Sequence, residues 1–133
     1  MYLDWGTAPR AGEILPATLD FLTSRLAGGT PTVILLHHHP IPVGIQWLDH
    51  ALPQRIDEFW DVAIGGSVRG IVFGHAHTTV EADVRGIPVL GLRSTCFQFA
   101  PAPEPVFCLL PPHYRVVSIS DGRLTSKIHE VPL

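Results

Sequence analysis

Two histidines separated by one residue, His75 and His77, follow an apolar run that ends at Gly74. The run, Ile71-Val72-Phe73, is typical of a short buried strand. If the backbone stays extended past Gly74, residues i and i+2 point to the same face and the two imidazoles lie side by side. Two neighbouring neutral imidazoles suit a transition metal, although two unrelated surface histidines fit this stretch equally well.

A second apolar run, over residues 32–36, ends in the same way, in His37, His38 and His39. Two apolar runs that both end in histidines are less likely to arise by coincidence than one such run. The run is internal and its flanks belong to the pattern, so an expression tag explains it poorly. Metal binding is therefore the favoured interpretation of the histidines.

The elements that would position these histidines alternate between helix and strand. A leucine stripe of helical period predicts a helix that starts at Pro16 and ends at Gly28-Gly29. Apolar residues of the same period predict a second helix, over residues 56–63, that ends at Gly65-Gly66. Residues 38–53, which precede the second helix, are predicted to form a loop. A loop of this length in a compact domain is commonly functional. A first strand over residues 1–5 completes two β-α-β units, for which parallel pairing is expected.

From Thr79 onward the pattern predicts strands alone. Polar and apolar residues alternate over 79–84, and a turn at Arg85-Gly86 leads into a strand over 87–92. The proline-rich stretch 100–112 is excluded as a regular central strand. The clearest hairpin joins 115–119 to 124–131. We therefore predict one α/β domain over residues 1–133, a mixed β-sheet with two helices on one face.

The composition of the chain limits which partners and which cellular compartment we expect for it. The formal net charge of −3 gives no reason to expect nucleic-acid binding, and no apolar run has the length of a membrane span. No secretory signal is visible and two cysteines do not make a disulfide framework, so we expect a cytoplasmic protein. Only 16% of the residues are charged, which indicates that part of the surface is buried against a partner.

The order of these motifs carries a resemblance. A strand into His-His, then Pro40-Ile41-Pro42-Val43-Gly44, a helix, and a strand into Gly-His-x-His resemble the calcineurin-like metallophosphoesterases, and most closely their bacterial cyclic-nucleotide phosphodiesterase branch. Further support comes from Leu3-Asp4, Trp47-Leu48-Asp49 and the stretches 94–99 and 112–115. The motifs Asp-x-His, Gly-Asp-x-x-Asp and Gly-Asn-His-Asp/Glu do not occur. The resemblance therefore covers the C-terminal half of the family's domain, and it implies half of an αββα four-layer sandwich.

The resemblance also assigns candidate site residues. It implies His37, His75 and His77 as metal ligands, with His38 as a rival to His37 and all four as candidate catalytic residues. The implied cofactor is a divalent transition metal (Mn, Fe or Zn), and one ion instead of two is an alternative, since three imidazoles and an open position suit catalytic zinc. Cys96 is expected beside the site as structural support and substrate wall.

Two more residues, Asp49 and Trp47, are candidate substrate contacts. For Asp49 a solvated surface position is the simpler interpretation, and for Trp47 a ring that anchors the loop to the core. Neither alternative is settled by the sequence.

Three functions are compatible with these residues. The first is a phosphodiesterase-like hydrolase of small phosphoesters, weak or altered because the N-terminal metal-ligand motifs are absent. A complementary N-terminal half-domain or a symmetric mate would supply its other ligands. The second is a divergent esterase with a reduced metal site or none. The third is a non-catalytic half-domain. We expect a homodimer, because the inner face of half a sandwich would expose apolar surface.

Overall fold

A computed structural model describes residues 11–132, so the predicted strand over 1–5 and Leu3-Asp4 lie outside the described residues. Three helices and eight strands follow one another in the described part: α1 (Pro16–Leu26), β1 (Thr32–Leu36), α2 (Gln46–Asp49), α3 (Ile56–Gly65), β2 (Val68–Phe73), β3 (Val80–Val84), β4 (Ile87–Gly91), β5 (Gln98–Phe99), β6 (Phe107–Cys108), β7 (His113–Ser120) and β8 (Arg123–Glu130). The predicted alternation of helix and strand, and then strands alone, is confirmed.

The central sheet has four strands in the order β1-β2-β4-β3. β1 pairs parallel with β2, β2 pairs parallel with β4, and β3 runs antiparallel to β4. The predicted α/β class and mixed sheet are therefore confirmed. The carboxyl ends of three parallel strands meet at one edge, which is where α/β sheets commonly bind ligands.

The two predicted helices, α1 and α3, pack together on one face of this sheet. Leu19 and Leu26 of α1 and Phe59 of α3 share a buried cluster with Ile34 and Ile71 of the sheet. Pro16 occupies the first turn of α1, as its fixed φ predicts. This cluster holds β1 and β2 in register and so fixes where their carboxyl ends lie.

A short helix corrects one prediction, because residues 38–53 are not wholly a loop. The single turn α2 interrupts them. Ile45 and Leu48, three residues apart, are buried in a second cluster with Phe73 and Val89, and helical spacing brings both side chains to that cluster. The proline-rich stretch 100–112 adds no strand to the central sheet and only pairs β6 with β5.

The predicted hairpin is confirmed as β7–β8 and forms a separate two-stranded sheet. It rests on the central sheet at Gly70, where an added Cβ would lie 2.6 Å from Leu124 Cδ1. The nearly buried Arg115 donates hydrogen bonds to Glu81 Oε1 (3.2 Å) and to the carbonyl oxygen of Gly91 (3.1 Å). A hairpin of two strands is marginal alone, so these contacts are what attach it.

The sheet face opposite the two long helices is apolar and partly open. The register places Val33, Leu35, Val72 and Leu90 on that face. Leu35 is 76% exposed. Among the described residues, no helix is long and apolar enough to cross a membrane.

Candidate active site

The ends of β1 and β2 bring His37 and His75 together. The backbone N–H groups of Gly74 and His75 both donate to the carbonyl oxygen of His37, at 3.2 and 2.9 Å. These bonds join the two strand ends beyond the sheet. As a result, His37 Nε2 and His75 Nδ1 lie 3.3 Å apart.

Three further ring contacts surround His75. Its ring stacks on His38 with centroids 4.4 Å apart and on His39 at 5.6 Å, and it meets His37 edge-on at 5.2 Å. Burial, followed by the neighbouring imidazoles, lowers the pKa of His75 from 6.5 to about 4. His75 is therefore neutral at pH 7, which is the form that binds metals.

His77 reaches the same place by a different backbone path from the one expected. The chain does not stay extended past Gly74: His77 has φ of 49° and donates its N–H to the carbonyl oxygen of Gly74 at 3.1 Å. The premise of an i, i+2 alternation was therefore wrong. The two imidazoles line one cavity because a tight turn, rather than a strand, carries them there.

The tautomer of His77 is set by the backbone. Its Nδ1 lies 2.7 Å from the carbonyl oxygen of Phe97. Since a carbonyl only accepts, Nδ1 carries the proton and the Nε2 lone pair is left for another partner. Burial lowers the pKa of His77, and the bond to Phe97 opposes that shift. Metal-binding histidines in proteins commonly show this pattern.

Asp49 is engaged with the backbone of the proline-rich loop. Its Oδ1 accepts from Val43 N–H at 2.7 Å and its Oδ2 from Gly44 N–H at 3.1 Å. His39 Nε2 lies 3.8 Å from Asp49 Oδ1. The fully buried His39 has a lowered pKa, mainly through burial, and Asp49 opposes the shift. Asp49 thus holds the loop that backs His75, and its contact with substrate stays a prediction.

Trp47 belongs to an aromatic group beside His77. It is half-buried against the second core cluster and meets Phe99 edge-on at 4.8 Å. Phe99 in turn stacks on His77 at 5.0 Å. The ring therefore anchors α2 to the wall of the site, and its role as a substrate contact stays a prediction.

Cys96 lies in a short loop next to the cavity. The loop is held by the buried Gln98, which accepts from Ser94 N–H and donates to Ser94 O, both at 2.8 Å. Cys96 is exposed with a free thiol, and its N–H donates to Ser94 Oγ at 3.0 Å. The loop does adjoin the cavity, through Ser94 and Thr95. The role of Cys96 stays a prediction.

One cavity at the carboxyl edge of the sheet is lined by three of the predicted site residues, and its lining does not include His38, Trp47, Asp49 or Cys96. It has a volume of about 410 Å³, and its described lining includes His37, His75, His77 and Arg93. Arg93 was missed by the sequence reasoning. The parallel pairing of β4 with β2 brings it here, and the sequence signal for it is an apolar run that ends in an arginine.

The chemistry of the donor atoms in the cavity suits a metal ion, but the arrangement of the side chains does not form a complete metal site. Neutral imidazoles, the fixed tautomer of His77 and a buried His75 Nε2 with no partner among residues 11–132 all fit a metal site. Within that same range, no group of three or more His, Cys, Asp or Glu side chains is arranged to hold a metal ion. The residues present therefore fit part of a metal site and supply no carboxylate to it.

A mixed sheet with histidines at the carboxyl edge of its parallel strands is compatible with a partial metallophosphoesterase domain. No family model matches the chain. It is 33% identical over 125 residues, 90% of its length, to the 3',5'-cyclic adenosine monophosphate phosphodiesterase CpdA of Escherichia coli. It is 36% identical over 92 residues, 68% of its length, to a probable cyclic nucleotide phosphodiesterase of Psychrobacter arcticus. A 3',5'-cyclic-nucleotide phosphodiesterase of Nostoc is 33% identical over 127 residues, 91% of the chain.

These relatives confirm the predicted resemblance: the chain is related to the bacterial cyclic nucleotide phosphodiesterases. It spans less than half of each of them, 46% of the Escherichia coli protein, 33% of the Psychrobacter protein and 47% of the Nostoc protein.

Proposed function

We propose that this chain carries the histidine part of a phosphodiesterase-like hydrolase site. The observation that carries the proposal is the cavity at the carboxyl edge of the sheet, which His37, His75 and His77 line together. The neutral form of His75 and the fixed tautomer of His77 suit ligands rather than salt bridges. The names of the relatives support a phosphodiester, and a cyclic nucleotide, as the substrate of the complete enzyme.

In this proposal His37, His75 and His77 hold a divalent transition metal (Mn, Fe or Zn), as one ion or as part of a pair. Such an ion supplies an activated water and neutralises charge on the phosphate. The chain's own groups prepare the site. The Phe97 carbonyl keeps the proton of His77 on Nδ1, and the bonds from Gly74 and His75 to the His37 carbonyl fix the distance between the two strand ends.

Among residues 11–132 no carboxylate joins the histidines in the cavity, so we propose that a partner supplies the rest of the site. A complementary N-terminal half-domain would bring the missing ligands, whereas a second copy of the chain would bring only further histidines. Either partner would cover the open sheet face on which Leu35 is 76% exposed. The pairing would rebuild the four layers of the αββα sandwich. Activity of the chain alone is accordingly expected to be weak, and a cytoplasmic location remains part of the proposal.

A second candidate is a divergent esterase with a reduced metal site. The observation that favours it is the absence of any Asp or Glu among the described residues that line the cavity. Without a carboxylate to bridge two metal ions, the site would hold one ion or none. A carboxylic ester needs less charge neutralisation than a phosphodiester, so such a site would suit it better.

One assay separates these functions. Bis(4-nitrophenyl) phosphate and 4-nitrophenyl acetate are offered side by side to the chain loaded with Mn²⁺, Fe²⁺ or Zn²⁺. We expect hydrolysis of the phosphodiester that falls at least about tenfold in His75→Ala and His77→Ala. His50→Ala, at an exposed histidine outside the cavity, is the matched control. Hydrolysis of the acetate alone would favour the esterase, and activity unchanged in both cavity variants would overturn both proposals.

A further inference from the structure

Arg93 occupies the third strand end at the edge that carries the histidines. β4 ends at Gly91, which is in register with Phe73 of β2, so the residues after Gly91 lie beside Gly74. Arg93 is one of the residues that line the same cavity as His37. The parallel pairing of β4 thus brings Arg93 to the edge that carries the histidines.

The guanidinium is held firmly at one nitrogen. Nη1 lies 3.1 Å from His113 Nε2 and 3.2 Å from Glu130 Oε2, and it donates to the carbonyl oxygen of Pro111 at 3.4 Å. Nη2 and Nε of Arg93 form no hydrogen bond within residues 11–132. The side chain remains 23% exposed. One end of a planar fork is therefore fixed, while its other donors are left for a ligand.

The charge of the cavity favours an anion. Its described lining contains no Asp or Glu, and Arg93 is the one lining side chain there with a permanent charge. Ser94 and Thr95, two residues with hydroxyl side chains, also line the cavity. Arginine recognises phosphate through parallel N–H···O bonds that are stronger than neutral hydrogen bonds.

A purely structural role explains this arginine less well. Its carboxylate partner, Glu130, is 56% exposed. Ion pairs of this kind contribute little to stability, because water screens them and two side chains lose freedom. The hairpin has other attachments, at Gly70 and through Arg115. The tie to Glu130 is therefore better understood as orienting Arg93 than as holding the fold.

We infer that Arg93 forms a phosphate-binding subsite, in which Nη2 and Nε donate to the non-bridging oxygens of a phosphate ester at the histidine edge. The identity of the ester rests on the proposed function, whereas the anion subsite stands on the geometry of Arg93 alone. Arg93 forms no covalent bond with the substrate during the reaction. It binds and orients the phosphate, so its loss raises KM more than it lowers kcat.

The test uses inorganic phosphate and metal-free chain, so that no bound ion contributes. Isothermal titration compares the unmodified chain with Arg93→Gln and Arg93→Lys, and with Arg123→Gln, at an exposed arginine outside the cavity, as the matched control. We expect phosphate binding about tenfold or more weaker in Arg93→Gln, because a charge-assisted bond is lost. Arg93→Lys keeps part of the affinity, and Arg123→Gln changes it by less than about threefold.

A second measurement does not depend on the folding of a variant. In the unmodified, ¹⁵N-labelled chain, the Nε–H resonance of Arg93 should shift as phosphate is added. A resonance that stays in place, or an equal loss of binding in Arg93→Gln and Arg123→Gln, would overturn the subsite.

The two proposals fail separately. Phosphate binding that depends on Arg93, without hydrolysis that depends on histidine, supports the subsite and refutes the proposed function. Histidine-dependent hydrolysis with unchanged phosphate binding in Arg93→Gln refutes only the subsite.

Discussion

Acid should destabilise the metal-free chain through the crowded ring of His75. In the folded chain, burial and the neighbouring imidazoles lower the pKa of His75 from 6.5 to about 4. Between these two values the unfolded chain binds the proton more readily than the folded chain does. The contribution to stability is therefore fully present above pH 6.5 and is lost as the pH falls toward 4.

The size of this effect follows from the two pKa values. Integrated from neutral pH down to pH 5, the linkage gives a ceiling of about 2 kcal/mol. His75 is only half-buried, so solvent screening reduces the expected loss to about 1 kcal/mol. His39 and His77 also have lowered pKa values, mainly through burial, and they act in the same direction.

The assay is urea unfolding at pH 7 and at pH 5 in the presence of a chelator, followed by tryptophan fluorescence. The unmodified chain should lose about 1 to 2 kcal/mol between the two conditions. His75→Asn cannot titrate there and should lose clearly less, while His50→Asn should behave like the unmodified chain. If His75→Asn loses as much as the unmodified chain, the shielded ring is not the group that titrates, and our description of the cluster is refuted.

Three other predictions concern packing, assembly and the thiol. Gly70→Ala should destabilise the fold by up to about 1 kcal/mol in urea unfolding, because the new Cβ meets the end of the Leu124 side chain, which must shift to make room; the effect should shrink in a Leu124→Ala background, and equal effects in both would refute that contact. Light scattering at micromolar concentration should give a dimer that Leu35→Glu shifts toward monomer, since the exposed sheet face is buried on association; a monomer mass for the unmodified chain would contradict this. Cys96→Ser should keep fold and hydrolysis, as circular dichroism and the phosphodiester assay would show, and complete loss of activity in a folded variant would mean that the thiol takes part.

Local sequence patterns were enough to predict the elements that carry the histidines. Pro16 and the leucine stripe define α1, and the two apolar runs before His37 and His75 define β1 and β2. These signals are local, because each depends on a period of two or 3.6 residues and on a glycine or proline at the boundary. The helix pair and the parallel strands follow from them by the usual handedness of β-α-β units.

The remaining features depend on contacts between distant residues, which no local period reports. β4 inserts beside β2, and only that pairing brings Arg93 to the histidine edge. The turn at His77 is held by Gly74 and by Phe97, twenty residues further along. The helix α2 forms because Ile45 and Leu48 pack into a buried cluster with residues of β2 and β4.

Metal binding by the unmodified chain tests the central claim most directly. Calorimetric titration with Zn²⁺, together with the visible spectrum of the Co²⁺ form, reports the ligands without requiring activity. We predict at least one ion per chain, with affinity reduced at least about tenfold in His75→Ala and in His77→Ala and unchanged in His50→Ala. Equal binding by all four proteins would show that the ion sits elsewhere, and would contradict the assignment of this cavity as a metal-dependent hydrolase site.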